Sequence, residues 1–256
     1  MGESPPGFTM KSIYFNHIPR TGGTTLSRML QNSGIGRCGL NVFTTEKDFN
    51  SESVYKSDLI MGHYGIAPSI LNPDIDTITF LRNPVEQVVS MFSKLNYESQ
   101  KQNNNTKIFD VFRSSKFKND PANLFREWLY DERATEYTNN GQIYNLINTR
   151  YPYLYDPKTG EKLNMETQIH VTKENAKEKI ESLLFIGSTE NIYEGYSRVL
   201  DIINSRFGVS LQRLQRAGVY NGISETKKVL DTLSKSEIDY ILEKNSIDNY
   251  YWEQAT

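Results

Sequence analysis

Short runs of consecutive apolar residues alternate along this chain with segments whose apolar positions recur every three or four residues. The first run, "SIYFNHI" (residues 12–18), is rich in β-favouring side chains and stops at Pro19, which predicts a strand. In "TTLSRMLQNSG" the residues Leu26, Met29 and Leu30 share one helical face and a glycine ends the pattern. "DLIMGH" (58–63) and "DTITFLR" (76–82) are uninterrupted apolar runs closed by a polar residue, the form of strands buried on both faces of a parallel sheet. Pro84 then occupies a first helical turn, and "VEQVVSMFSKL" carries helical spacing onward. The strand, loop, helix unit has now occurred twice. Residues 98–107, "ESQKQNNNTK", predict a mobile polar loop at an edge, and 108–148 are mainly helical. Residues 151–163 form a turn-rich aromatic connection, "ENAKEKIESL" an amphipathic helix, and 183–188 a fourth buried strand. "NIYEGYSRVLDIINSRF" resumes helix, and the last segment closes the chain with one or two more. No repeat or composition break appears, so the pattern predicts an α/β fold with a parallel sheet covered by helices on both faces.

Length and composition narrow this picture. The 256 residues suit one large domain, expected over 11–256 after a flexible leader at 1–10. With 29 basic against 31 acidic side chains the net charge is −2, so no whole-molecule field draws in nucleic acid or a membrane surface. Any anion site must be local. One cysteine, Cys38, makes no internal disulfide, and three histidines without metal spacing predict no structural metal. That cysteine usage fits a reducing, cytoplasmic setting. No apolar run approaches the ~18 residues of a membrane span.

"HIPRTGGTTL" is where a local anion site can form. A strand leading through a glycine turn into a helix start clusters backbone N–H groups at the positive end of the helix dipole. Gly22 and Gly23 let the backbone approach a ligand, Thr24 and Thr25 add hydroxyls, and Arg20 adds full charge. The loop lacks the lysine after its glycines that an ATP- or GTP-binding G-x-x-x-x-G-K-S/T loop requires. By itself, an ordinary strand-to-helix turn would read the same way. The segment resembles the 5′-phosphosulfate loop of sulfotransferases that use 3′-phosphoadenosine 5′-phosphosulfate (PAPS), in particular the glycosaminoglycan O-sulfotransferases (sulfotransferase family 2) and their bacterial relatives, which reads roughly H-I-P-K-T-A/G-G-T-S/T. Arg20 stands where most members carry lysine, which keeps the charge and changes its shape.

"FLRNPVEQVVSMF" supplies a second anion motif. Arg82 at a strand end offers a bidentate fork, and Ser90 on the next helix a further donor. The segment is similar to the family's 3′-phosphate motif, R-D/N-P-x-x-R/Q-x-x-S, with Gln87 where arginine is common. The resemblance implies a three-layer fold of the P-loop type, with PAPS as donor and PAP as product, bound by Arg20, Thr21, Gly22, Gly23, Thr24, Thr25, Arg82 and Ser90. "VYNGISETKK" resembles the family's covering loop and helix, which adds Asn221, Ser224 and Lys227 as cofactor contacts. "FIGSTE" matches a further family segment through Gly187, Thr189 and Glu190.

His63 closes a strand between the two motifs, where the strand ends of an open parallel sheet face the ligand crevice. Imidazole titrates near neutrality and suits deprotonation of a hydroxyl. Gly62-His63 matches the family's Gly-His, so His63 is the expected base, and Arg20 is expected to stabilise the charge that builds on the bridging and phosphate oxygens. His17 is expected to brace the turn, and His170 to lie at the surface or on an edge strand. The expected reaction is transfer of a sulfuryl group to a hydroxyl-bearing acceptor without a metal. A carbohydrate ranks first, a small molecule next and a protein tyrosine third, and the tyrosines between 144 and 155 could stack on rings. An ATP-dependent small-molecule kinase and a nonenzymatic nucleotide-binding protein are the alternatives.

Overall fold

The computed structural model describes residues 11–44, 51–101, 107–149, 153–155, 159, 162–164, 169–212 and 224–256. The first half runs β1 (Ile13–Asn16), α1 (Gly23–Asn32), β2 (Val42–Phe43), α2 (Ser51–Lys56), β3 (Leu59–Gly62), α3 (Ala67–Leu71), β4 (Asp76–Leu81) and α4 (Pro84–Lys101). A helical block follows, with α5 (Lys107–Ser114), α6 (Pro121–Leu129), α7 (Thr135–Thr138) and α8 (Gly141–Ile147). The chain continues through β5 (Tyr153–Tyr155), β6 (Lys162–Asn164), α9 (Lys173–Glu181), β7 (Phe185–Ser188) and α10 (Ile192–Phe207). It closes with α11 (Ser224–Leu230), α12 (Lys235–Lys244) and α13 (Ser246–Ala255).

Five strands form one parallel sheet in the order β2-β3-β1-β4-β7, the α/β architecture that the alternation predicts. Side chains of β1 alternate between its faces as the two-residue strand period demands. Ile13 and Phe15 pack with Leu26 and Met29 of α1 and with Val199 and Leu200 of α10. Tyr14 packs on the other face with Val54, Ile60, Tyr64 and Leu71. Register then decides where the chemistry falls. Asn16 of β1 pairs with Gly62 of β3 on one side and with Thr79 of β4 on the other. The loops after β1 and β3 therefore leave the sheet level with each other, and β4 reaches two residues further. This is the crevice at which an open parallel sheet holds its ligands.

The helical block has its own core. Phe92 of α4 is fully buried, with the rings of Phe125, Trp128 and Phe112 at 5.2, 5.6 and 5.8 Å. Packing of this kind explains a departure from expectation: Glu98 to Lys101 continue α4 instead of opening a mobile loop, with Asn96 and Ser99 buried and the Ser99 hydroxyl donating to the Asn96 carbonyl. Residues 102–106 and the leader at 1–10 lie outside the described residues. The predicted strand at 183–188 begins only at Phe185, and the described part of the aromatic connection is an antiparallel pair, β5 with β6. His170 is exposed just before α9 and belongs to no strand. Among the described residues, no helix is long and apolar enough to cross a membrane.

Because Phe92 anchors the helix that carries Ser90, Phe92→Ala should lower unfolding free energy by about 3–5 kcal/mol. Urea denaturation reads this, and a loss under about 1 kcal/mol would show that α4 is held by other means.

Candidate functional site

Beyond β1 the parallel ladder lasts one residue more, as the His17 N–H donates to the Gly62 carbonyl at 2.9 Å. The chain then turns through two left-handed residues, Arg20 (φ 69°) and Gly22 (φ 78°). For a residue with a Cβ that conformation costs about 1–2 kcal/mol, so neighbours must hold Arg20 in place. Its Nε donates to Ser90 Oγ at 2.8 Å, and its carbonyl accepts from Arg82 Nη1 at 3.4 Å. The first and second anion motifs are thus joined directly. Thr21 turns inward, buried, and its hydroxyl donates to the Ile18 carbonyl at 2.9 Å.

Gly23 is required by space, and Gly22 chiefly by its left-handed backbone. A Cβ on Gly22 would lie 2.9 Å from Ile192 Cδ1, and one on Gly23 would lie 1.8 Å from the His17 ring. Helix α1 starts here with no side-chain cap and no acidic residue in its first turn. Its first N–H groups and positive dipole end are therefore offered to a ligand. A cavity of about 330 Å³ gathers Arg20, Gly22, Gly23, Thr24, Thr25, Arg82 and Ser90, and adds His17, Arg28 and Thr226. Burial and then the Arg82 guanidinium lower the Arg20 pKa, with Glu98 opposing them. Two cations crowd one pocket, and a bound anion would relieve both.

Arg82 is gripped from several sides. Gln142, fully buried, accepts from its backbone N–H and donates to its carbonyl, both at 2.8 Å. Glu190 accepts from the next N–H, that of Asn83, at 3.0 Å and from Trp252 Nε1 at 3.0 Å. The side chain differs from expectation: its Nε and Nη2 are already spent on Glu86, at 3.1 and 2.8 Å. The pair is half exposed, so its net strength is small and an anion can compete for the guanidinium. Behind Gln142 stands Asp248, fully buried, which accepts from the Gln142 and Ile143 N–H groups at 2.9 Å each. Burial pushes its pKa up to about 7, against the pull of those two N–H donors.

His63 follows Gly62 just as His17 follows Asn16, so the two imidazoles sit side by side with centroids 4.1 Å apart. His63 Nδ1 hydrogen-bonds the His17 carbonyl, which accepts only, so Nδ1 carries the proton and Nε2 is the basic nitrogen. His17 is held neutral: burial first, then His63, Lys94 and Arg20, lower its pKa to about 3. His63 lines a second cavity of about 250 Å³, together with Pro19, Gln87, Met91, Glu136, Tyr144 and Asn148 among others. One imidazole thus belongs to each cavity, and the rings touch at the boundary.

Not every expected contact is gathered here. Ser224 starts α11, but Lys227 is exposed and absent from the cavity lining, where its neighbour Thr226 stands instead, its hydroxyl 3.0 Å from Ser93 Oγ. Asn221 lies outside the described residues. Arg28 and Thr226 were missed. Arg28 is one turn beyond Thr24 and so readable by helical spacing, whereas Thr226 comes from a helix whose docking on α4 no local pattern announces.

A family model described as "Sulfotransferase family" matches residues 9–253. No curated protein matches the chain.

The buried groups set a pH signature. Asp248, raised from 3.8 to about 7, keeps its proton in the folded chain between those values, so its contribution is present at low pH and lost as pH rises toward 7. His17, lowered from 6.5 to about 3, does the opposite, and its contribution is lost as pH falls below 6.5. The two offset each other between about pH 4 and 6.5. Asp248→Asn should therefore make the melting temperature fall more steeply with acid across that window; a slope equal to that of the unmodified protein would contradict the assignment.

Proposed function

This chain belongs to the sulfotransferase family, and from that premise we propose that it transfers a sulfuryl group from PAPS to a hydroxyl group of a carbohydrate. The observation that carries the reading is the Arg20 Nε to Ser90 Oγ hydrogen bond of 2.8 Å, which puts the two phosphate motifs into one cavity. The cavity suits a ligand with two anionic ends. An uncapped helix start with Thr24 and Thr25 lines it, and so do Arg82 and Ser90. Two mutually repelling guanidinium groups favour such a ligand over any neutral one.

When bound, PAPS supplies an activated sulfuryl group and leaves as PAP. The residues of the chain do the rest. The α1 N–H groups, the Thr24 and Thr25 hydroxyls and Arg20 would hold the phosphosulfate end and stabilise charge that grows on its oxygens. Each such preorganised donor is worth about 3–4 kcal/mol in rate. Arg82 and Ser90 would select for the 3′-phosphate, since donors left unfilled by a ligand lacking it penalise that ligand. His63 Nε2 would take the proton of an acceptor hydroxyl as the acceptor oxygen bonds to sulfur and the bond from sulfur to the 5′-phosphate oxygen breaks. The neighbouring His17, held neutral, adds no charge to compete with that proton. A carbohydrate is favoured because the cavity beside His63 is lined by amides and tyrosines, the groups that pair with and stack on sugars.

Ligand-induced thermal shifts and turnover together test this. At one hundred times Kd, PAP should stabilise the protein by about 2.7 kcal/mol, and ATP with magnesium by much less. His63→Ala should keep that shift while slowing sulfuryl transfer about 10²–10⁴-fold, whereas Arg82→Ala should lose most of the shift. A larger shift with ATP and magnesium would favour a kinase. Loss of the PAP shift in His63→Ala would make His63 a donor-binding or folding residue.

A further inference from the structure

The cavity beside His63 has a chemical character of its own. Helix α4 sends Gln87 and Met91, one turn apart, into one wall, while α7 and α8 bring Glu136, Tyr144 and Asn145 to the other. Among the described residues lining it there is no lysine or arginine, and Glu136 is the one carboxylate. A further cavity of about 360 Å³ shares Glu136 and Tyr144 with it and adds Thr135, Asn139 and Asn140. The two adjoin at Glu136 and Tyr144, and Ile169, His170 and Val171 complete the described lining of the farther one. It too has no lysine or arginine among its described lining residues.

Gln87 supplies the second, independent observation. Its side chain is 2% exposed, and Nε2 donates to the Pro19 carbonyl at 3.3 Å, which fixes which end of the amide is which. The other end, Oε1, is buried with no hydrogen-bond partner among the described residues. A buried acceptor left in that state is costly, and a donor group of a bound molecule would satisfy it once the amide shifts to expose Oε1 to the cavity that Gln87 lines. Anionic groups would do the reverse, because carboxylate or sulfate oxygens would meet Oε1 and the Glu136 carboxylate with no lysine or arginine among the described lining residues to pair with them.

We propose that the acceptor is an uncharged oligosaccharide whose rings occupy both cavities, and that Gln87 Oε1 selects it by accepting a hydrogen bond from one of its hydroxyl or amide groups. The proposal rests on the sulfotransferase reading above and narrows it. Gln87 is thereby a specificity residue: it holds the acceptor so that another hydroxyl faces His63. Glu136 excludes polyanionic chains from the same cleft.

The test uses the full chain with PAPS and two sets of tetrasaccharides. One set is neutral (tetramers of N-acetylglucosamine and of glucose), and the other carries a carboxylate on alternate rings. The best neutral tetramer should be sulfated with a kcat/KM at least tenfold above any carboxylated one. Gln87→Met, which keeps the volume but removes Oε1 together with the Nε2 bond to Pro19, should raise KM for that neutral tetramer about five- to tenfold with little change in kcat, and a retained PAP thermal shift shows that the loop and the fold survive the lost Pro19 contact. Glu136→Lys should move the preference at least tenfold toward the carboxylated set. A carboxylated tetramer preferred by the unmodified protein, an unchanged KM in folded Gln87→Met, or PAP binding without sulfation of any neutral tetramer overturns the inference and leaves donor binding intact. Absence of both PAP binding and turnover with either set would instead sink the sulfotransferase reading on which it rests.

Discussion

The parallel pairing of β1 with β3 on one side and β4 on the other is the constraint from which the site follows. Once Asn16 stands level with Gly62 and Thr79, the residues that follow them have no freedom to separate. His17 and His63 become neighbours because they are the next residues on paired strands, and the carbonyl of one then fixes the tautomer of the other. Arg82 stands two residues further along because β4 is longer. The apolar alternation of β1, with Phe15 on one face and Tyr14 on the other, is what prevents a one-residue slip that would exchange the faces and scatter these groups.

On this frame sits an electrostatic tension. The whole chain carries a net charge of −2, yet burial and the neighbouring Arg82 lower the preference of Arg20 for charge in a cavity beside an uncapped helix end. Arg20 also holds a left-handed backbone that few side chains adopt. Strain and like-charge crowding persist at functional sites when the surrounding structure over-determines them. Here Ser90, Gln142, Glu190 and, behind Gln142, Asp248 supply that support from three helices and the turn after β7. The cavity beside His63 is different in kind, with amides, hydroxyls and one carboxylate among its described lining residues, so the imidazole pair stands between it and the cavity that holds the two arginines.

What could be read from the sequence was what is local. The glycine turn, the strand ends and Pro84 declare themselves within a few residues, which is why Arg20, the glycines, Arg82, Ser90 and His63 are readable without coordinates. β2 was missed because two residues show no periodicity, and α4 outran its expected end because burial of Asn96 and Ser99 outweighed their polar character. Lys227 and Thr226 differ by one position on α11, and only the docking of that helix on α4 decides which faces the cavity. Gln142, Asp248 and Glu136 carry no motif at all. Their roles come from contacts to residues far away in the chain, such as the 60 positions between Gln142 and Arg82.

A crystal structure of the complex with PAP tests the central claim most directly. The account predicts the 5′-phosphate at the start of α1, hydrogen-bonded by backbone N–H groups and Thr24 or Thr25, with the 3′-phosphate on Arg82 and Ser90 in the same cavity. A nucleotide bound with either phosphate outside that cavity, or with Arg82 still wholly occupied by Glu86, would contradict it.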